Sequence, residues 1–178
     1  MLFYLFSADE LRDLFARLGY PFDSETIPRN VAYYTTRSSH GSTLSRVVQA
    51  WVLARCDRPR SMQFFDEALQ SDVTDIQQGT TAEGIHLGAM AGTVDLVQRG
   101  VTGIVATGDV LWLNPELPQE IDRLTMRIRY RGHSLHLRVT RDALTVRGSD
   151  RGPAPIRLGV RNQVHEFAGG STCVFPLR

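Results

Sequence analysis

Two polar loops contain most of the side chains in this sequence that have the types and spacing to bind or convert a ligand. The first loop, residues 35–43, reads TTRSSHGST and contains His40. The second loop, residues 77–86, reads QQGTTAEGIH and ends at His86. Each loop adds at least two hydroxyl groups to its histidine, so each supplies several short donors around a small polar ligand. This composition favours a phosphate or a sugar as the ligand.

Both loops lead into the N-terminus of a predicted helix, which strengthens this interpretation. One helix starts after Ser42 and Thr43, and another covers about Glu83 to Gln98. The unpaired N–H groups and the positive dipole end at a helix start attract anions. The pattern alone leaves a structural alternative open, in which Ser42 or Thr43 only caps a helix and the two histidines bind buried carbonyl groups.

The first hundred residues hold these loops in a succession of predicted helices. Ser7 and Glu10 have capping-box spacing, the apolar residues that follow recur with the helical period, and Gly19 ends the run. Further helices are predicted to begin near Ser24 or Thr26, after Ser42, after Pro59 and at about Glu83.

Two of these helices carry specific packing predictions. The helix after Pro59 places three apolar residues on one face: Met62, Phe65 and Leu69. The last helix has glycines at four-residue intervals, so we expect another backbone to approach closely at these positions: Gly84, Gly88 and Gly92. Between the two helices, Asp72 and Asp75 are interpreted as solvated or capping charges.

After Gly100 the hydrophobic period changes from 3.6 to 2, which indicates β-strands. Apolar residues alternate with polar ones over 124–130 and 135–139, which predicts a hairpin with arginines at its outer positions. Shorter strands are predicted at 144–146, 156–160 and 164–167. The predicted fold class is therefore mainly α plus β, with helices in residues 1–112, a small antiparallel β-sheet module in residues 113–178, and a connection around Val101 to Leu117.

The charge composition excludes several classes of function. The 178 residues include 20 basic and 19 acidic ones, and every basic residue is arginine, so Schiff-base and P-loop lysine chemistry are both excluded. A net charge of +1 is not typical of a dedicated nucleic-acid binder. A series of arginines on the hairpin has two possible roles. It forms a basic face that binds RNA or an acidic partner, or it is a solvated surface. The series is Arg127, Arg129, Arg131, Arg138 and Arg141. We favour the solvated surface and expect no nucleic-acid partner, because no aromatic stacking platform accompanies the series.

The sequence contains no signal for a membrane, a disulfide framework or a metal. No apolar stretch approaches the roughly 18 residues that a membrane span needs, and the apolar start is too short for a secretory signal, so we expect a cytoplasmic protein. Cys56 and Cys173 lie far apart and lack metal-ligand spacing. His133 and His136 have no third ligand near them in the sequence, so no metal site is assigned.

Two longer segments resemble a known enzyme family. Residues 30–56 contain HGSTLS, and residues 75–100 contain GTTAEGIHLGAMAGT. Both are similar to glycoside hydrolase family 65, which includes the inverting phosphorylases of maltose, trehalose and kojibiose and related α-glucoside hydrolases. The runs LFYLFSADELRDLFARLGYPFD and GDVLWLNPELP also resemble this family, so the similarity covers nearly the whole chain.

The resemblance implies that this chain is the C-terminal part of a much longer enzyme. Residues 1–112 would be the last helices of an incomplete (α/α)6 toroid, and residues 113–178 its C-terminal β-sheet domain. The general-acid Glu of the family lies earlier in the barrel, so we assign no catalytic residue here and expect the chain alone to be inactive. The alternative is a free-standing, non-catalytic helical and β-sheet module that binds a ligand or serves as an interaction surface.

The resemblance also implies a ligand and a set of contacts. Inorganic phosphate is the expected co-substrate beside an α-linked glucose disaccharide, and no metal or organic cofactor is expected. Glu83 either hydrogen-bonds a sugar hydroxyl or stabilises the helix start. The missing N-terminal portion of the enzyme, or self-association, is expected to cover the apolar flank at Phe3 to Phe6. The phosphate or sugar contacts implied by motif position are His40, Gly41, Ser42, Thr43, Thr80, Thr81, Glu83, Gly84 and His86.

Overall fold

The chain folds into two compact units, which we call the helical unit (Met1–Leu96) and the sheet unit (Val97–Arg178). The structure is a computed structural model that describes residues 2–39, 42–54, 56–75, 79, 82, 84–149 and 154–178. The helical unit contains α-helices and the sheet unit contains all the strands of the described residues. The protein is therefore a helical layer followed by small β-sheets along the chain.

The helices of the helical unit begin and end where capping chemistry predicts. Glu10 N–H donates to the Ser7 hydroxyl at 3.2 Å, Ser7 N–H donates to the Glu10 carboxylate at 2.7 Å, and Gly19 ends the helix in the left-handed conformation with φ of 74°. None of the described helices has the length and hydropathy to cross a membrane. The described helices are α1 (Leu2–Leu5), α2 (Ala8–Leu18), α3 (Thr26–Thr35), α4 (Thr43–Leu53), α5 (Arg58–Gln70) and α6 (Leu87–Asp95), followed by a π-helical turn (Leu96–Val101).

Helix α4 lies at the centre of the helical unit and contacts α1, α3, α5 and α6. The most deeply buried residues of α5 are neighbours of the apolar residues that the sequence pattern singled out. Ser61, Phe64 and Ala68 are buried, whereas Leu69 is 42% exposed. The small side chains allow α4 and α5 to approach closely, and the Ser61 hydroxyl donates to the carbonyl oxygen of Ala50 at 2.6 Å. The predicted apolar residues lie beside this contact, and Phe65 is half-buried against the core of the helical unit.

The glycines at four-residue intervals have three different environments. A Cβ atom added at Gly92 would lie 2.6 Å from Cγ1 of Val47 in α4, so a neighbouring helix approaches closely there, through a side chain rather than through its backbone. A Cβ at Gly88 would meet nothing within 4 Å, and Gly84 precedes α6 in a left-handed conformation with φ of 105°. The prediction of a continuous contact stripe was wrong, because α6 begins only at Leu87 and the space around Gly88 is open.

The sheet unit contains two four-stranded sheets in the described residues, with orders β1-β2-β6-β7 and β3-β4-β5-β8. Every pairing is antiparallel except β2 with β6, which is parallel. Strands β1 and β2 lie before residue 113, and the pairing of β2 with β6 makes them part of the sheet unit. The strands are β1 (Val105–Thr107), β2 (Val110–Trp112), β3 (Arg123–Tyr130), β4 (His133–Thr140), β5 (Ala143–Gly148), β6 (Ile156–Val160), β7 (Gln163–Phe167) and β8 (Thr172–Pro176).

The predicted hairpin is confirmed as β3 and β4. Arg131 and Gly132 both have positive φ, 47° and 82°, as a two-residue hairpin turn of the mirror-image type requires. The turn is shorter than the sequence suggested, so His133 begins β4 and is buried. One core fills the sheet unit with the inner residues of both sheets: Leu111, Leu113, Leu135, Leu137, Val139, Leu144, Val146, Ile156, Leu158, Val160, Phe167 and Phe175.

Candidate functional site

The N-terminus of α4 lies at the C-terminal end of α5, because these two helices are antiparallel. Near the start of α4, Nε of Arg46 contacts Oε2 of Glu67 near the end of α5 at 3.2 Å. Near the opposite ends, Ser61 of α5 donates to the carbonyl of Ala50. These two contacts place the first predicted loop, which precedes α4, beside the end of α5.

The N-terminus of α6 lies at the same end of α5. Asp72 comes just after α5, and it hydrogen-bonds both the backbone and the ring of His86, the N-cap residue of α6. A small apolar cluster of Val47, Ala68 and Ala89 joins the three helices next to this end. The structure therefore brings the ends of both predicted loops together, at a surface that we call the α4/α6 N-terminal end.

The His86 ring is oriented by Asp72. The backbone N–H of His86 donates to Oδ2 of Asp72 at 2.9 Å, and Nδ1 of the ring lies 2.6 Å from Oδ1. The hydrogen bond from His86 lowers the pKa of Asp72 below its ordinary value, although burial acts in the opposite direction. Since Asp72 occupies Nδ1, the ring nitrogen that remains for a ligand is Nε2.

Asp72 is a residue of this site that sequence reasoning missed. It was interpreted as a solvated or capping charge, but its side chain is only 9% exposed and it holds His86 at two points. A separation of 14 residues in the sequence gives no periodic signal. The contact exists only because α6 returns antiparallel to α5, so the tertiary fold was needed to find it.

Ser42 and Thr43 occupy the start of α4 in different ways. Ser42 is the N-cap residue by its extended backbone, with φ of −133° and ψ of 140°, but its side chain makes no capping hydrogen bond. The hydroxyl of Ser45 instead donates to the Ser42 carbonyl at 2.6 Å. Thr43 is buried. The simple capping alternative for the Ser42 hydroxyl is therefore not what the structure contains.

Acidic residues on the N-terminal side of the second loop contact some of its described residues. Asp75 has a left-handed backbone, with φ of 46°, and its carboxylate accepts the N–H of Gly79 at 2.8 and 2.9 Å. Gly84 has φ of 105°, a conformation that favours glycine. The remaining predicted contacts lie outside the described residues: His40, Gly41, Thr80, Thr81 and Glu83.

The groups at this end can bind an anion or a polar ligand. Two helix N-termini and an oriented imidazole contribute positive potential and donors, while the Arg46 charge is compensated by Glu67. The Asp72 carboxylate is occupied by His86. Within the described residues, no three His, Cys, Asp or Glu side chains cluster closely enough to hold a metal ion.

Both units of the chain match domains of a known protein family. Residues 1–95 match the central catalytic domain of glycosyl hydrolase family 65, and residues 105–167 match the C-terminal domain of the same family. The chain belongs to glycosyl hydrolase family 65. The first family match contains the whole α4/α6 N-terminal end, and the second contains most strands of the sheet unit.

Individual members of family 65 are much longer than this chain. An uncharacterized glycosyl hydrolase of Mycobacterium tuberculosis is 46% identical over 172 residues, which is 97% of this chain and 13% of that protein. The trehalose 6-phosphate phosphorylase of Lactococcus lactis is 31% identical over 84% of this chain and 20% of its own length. The kojibiose phosphorylase of Thermoanaerobacter brockii is 32% identical over 73% of this chain and 17% of its own length. The chain thus spans a fifth or less of each of these relatives.

A solved structure supports the same fold. A candidate kojibiose phosphorylase from the human microbiome superimposes with a TM-score of 0.73 and 21% sequence identity. The match covers 87% of this chain and 20% of that protein. The family 65 assignment and the mainly α plus β fold agree with this structural match.

Proposed function

We propose that this chain is the C-terminal part of an inverting disaccharide phosphorylase or hydrolase that acts on α-linked glucosides. Its α4/α6 N-terminal end contributes part of the pocket for phosphate or sugar. The observation that carries this proposal is the Asp72–His86 pair, which fixes an imidazole at the start of α6, at the same end of α5 as Ser42. The trehalose 6-phosphate and kojibiose phosphorylases among the relatives support the choice of substrate class.

The chemistry of phosphorolysis does not require a catalytic base in the pocket. Inverting cleavage of a glycoside needs a protonated carboxyl group on the leaving oxygen and a nucleophile on the opposite face of the sugar. Phosphate is already an anion and can attack directly, so the second carboxylate is replaced by groups that bind and orient phosphate. Nε2 of His86 and the helix N-termini are such groups, and the general acid is supplied by the part of the enzyme that precedes this region.

We also propose that the helical unit requires a partner surface, either the preceding portion of the barrel or a second copy of the chain. The support is apolar exposure along α1, where Leu2 is 50% exposed and Leu5 is 61% exposed. In an (α/α)6 toroid each helix packs against neighbours on both sides, so the last helices retain apolar flanks when they stand alone.

The proposed compartment is the cytoplasm, in agreement with the absence of a disulfide at Cys56 and Cys173.

Titration with inorganic phosphate tests the proposed site. We expect saturable binding in the millimolar range by calorimetry, because only part of the pocket is present. His86→Ala is expected to weaken this binding at least tenfold, with the circular dichroism spectrum unchanged. His165→Ala, which changes a histidine of the sheet unit, serves as the matched control. Wild-type affinity in both His86→Ala and His40→Ala would overturn the proposal.

A further inference from the structure

The outer face of β3, β4 and β5 presents a row of basic side chains in register. Arg127 pairs with His136, and His136 pairs with Arg147 on the next strand. Neighbouring strands lie roughly 4.8 Å apart, so the Cα atoms of the two arginines are separated by about 10 Å, with the imidazole between them. All three side chains are exposed. Two guanidinium groups can therefore reach a single small ligand above His136.

These arginines lack the counter-charges that other arginines of the sheet unit have. Arg157 contacts Asp109 at 2.9 and 3.0 Å, and Arg141 contacts Asp122 at 3.3 Å. Within the part of the chain that the structure describes, no carboxylate lies in ion-pair distance of Arg127 or Arg147. Among the described residues the basic row is thus positive charge without a carboxylate partner, on a protein whose net charge is only +1.

The row borders a shallow cavity with hydroxyl groups at its other side. The cavity has a volume of about 340 Å³ and is lined by Arg127, Ser134, His136, Arg147, Gly148 and Ser149. The N–H of Ser149 donates to the carbonyl of Ser134 at 3.1 Å, so the backbone that carries both hydroxyls is tied to β4. A Cβ atom at Gly148 would lie 2.8 Å from the Phe167 ring, so the backbone here is seated closely on the core.

Arg127 on β3 and Arg147 on β5 lie on either side of His136 of β4, and no acidic residue is paired between them. This spacing suits a phosphate group, because each planar guanidinium can donate two parallel hydrogen bonds to phosphate oxygens. Seryl hydroxyls and the imidazole supply neutral donors between them.

We propose that this cavity, bounded by Arg127, His136 and Arg147 with Ser134 and Ser149, binds the phosphate group of a small phosphate monoester. A cavity of this size accommodates one phosphate group with a short organic substituent. The outer positions of β3, β4 and β5 contain no aromatic residue on which a base could stack, so a nucleic acid fits less well. This site lies in the sheet unit and does not depend on the function proposed for the α4/α6 N-terminal end.

Glycerol 3-phosphate is a suitable probe, because its short substituent is the only group added to the phosphate. We expect saturable binding to the full chain, weakened at least tenfold in the Arg127→Gln, Arg147→Gln double variant. The matched control is Arg123→Gln with Arg138→Gln, which removes the same charge from the same sheet face outside the cavity. We expect that control to weaken binding less than threefold. Equal weakening by both double variants would overturn the proposal, since it would indicate a diffuse basic surface.

Two further arms separate the specific site from its alternatives. Arg127→Lys with Arg147→Lys keeps the charge but removes the guanidinium forks, so weakened binding is expected and wild-type binding would contradict a phosphate-specific cavity. His86→Ala should leave unchanged the part of the binding that the Arg127→Gln, Arg147→Gln variant removes, and loss of that part in His86→Ala would assign the ligand to the helical unit. Binding of a single-stranded oligonucleotide without binding of glycerol 3-phosphate would overturn the proposal in favour of a macromolecular polyanion.

Discussion

The two units of this protein differ in how completely they bury their own apolar side chains. In the sheet unit, the inner residues of both sheets form one closed core, and the large apolar residues described as exposed are Val105, Val164 and Val174. In the helical unit the exposed ones include Leu2, Leu5, Phe6, Leu18, Tyr20, Tyr33, Tyr34, Leu44, Leu69, Val73, Ile85, Leu87 and Val94. The sheet unit is thus built to close on itself, whereas the helical unit presents surface that suits a partner.

The two candidate anion sites differ in the opposite sense, because the charged side chains of the helical-unit site are paired and the arginines of the sheet-unit site are not paired with any described carboxylate. At the α4/α6 N-terminal end, His86 is held by a nearly buried carboxylate and the nearby Arg46 is already paired. On the outer face of the sheet, Arg127 and Arg147 stand without a carboxylate partner among the described residues. A pre-oriented imidazole suits a precise position in a reaction pocket, and unpaired arginines suit capture of a charged ligand.

The largest expected effect contrasts a core residue of the sheet unit with an exposed residue of the helical unit. Leu137 is fully buried and Leu18 is 60% exposed. Leu137→Ala should lower the free energy of unfolding by about 2–5 kcal/mol, through lost burial and the cavity left behind. Leu18→Ala should change it by about 0.5 kcal/mol or less. Urea unfolding measures the change in unfolding free energy for both variants. Equal losses would contradict the difference in how completely the two units bury their apolar side chains.

A second comparison lies inside the helical unit, between two glycines of α6. Gly92→Ala forces a Cβ into Val47 and should destabilise the protein by about 1–3 kcal/mol. Gly88→Ala, with open space around its Cβ, should stabilise it by up to about 1 kcal/mol, because alanine is the better helix former. Thermal unfolding of the pair is the measurement. Stabilisation by both variants would mean that α4 and α6 do not meet at Gly92.

Self-association should follow the exposed apolar surface of the helical unit. Leu2→Ser with Leu5→Ser removes two exposed leucines of α1, and we expect the dissociation constant for self-association to rise about tenfold, as for loss of 1.4 kcal/mol. Val164→Ser in the sheet unit is the control and should have little effect. Sedimentation velocity across a concentration series distinguishes them. A wild-type chain that stays monomeric at every concentration would contradict the expected exposure of a partner surface.

The smallest expected effect is the pH dependence of the free energy of unfolding. The folded state lowers the pKa of Asp72 through its hydrogen bond with His86, and it lowers the pKa of Asp109 through Arg157. Both carboxylates therefore contribute stability above their ordinary pKa of 3.8, and this stability is lost as the pH falls through the lowered folded-state values. The free energy of unfolding of Asp72→Asn should differ from that of the wild type at pH 7. This difference in unfolding free energy should shrink toward pH 3. A difference that is constant with pH would contradict the role of the Asp72 charge.

Local signals in the sequence were sufficient where one short segment determines the structure. The capping box at Ser7, the helix after Ser42 and the hairpin strands were all predicted, because capping and periodicity act over a few neighbouring residues. The runs around the two polar loops also indicated the family. Both loops could therefore be chosen as candidates from the sequence alone.

Features that depend on packing between distant segments could not be predicted. The buried face of α5 follows Ser61 and Ala68, whose small size matters only once α4 lies against them. Strands β1 and β2 have three residues each, too few for an alternating pattern. The role of Asp72 could be recognised only once the fold placed the start of α6 beside the end of α5. In each case the decisive contact joins residues that the linear pattern treats separately.

NMR of the histidine side chains during phosphate titration tests the central claim most directly. The chain would be labelled with ¹⁵N at its histidines, and the His86 signal assigned by its disappearance in His86→Ala. At constant ionic strength, the account predicts that the His86 ring signals shift saturably in the millimolar range of phosphate, while those of His165 stay constant. In Asp72→Asn the midpoint should rise about tenfold, because the charge-assisted bond that orients the ring is lost. His86 signals that do not move at saturating phosphate would contradict the account.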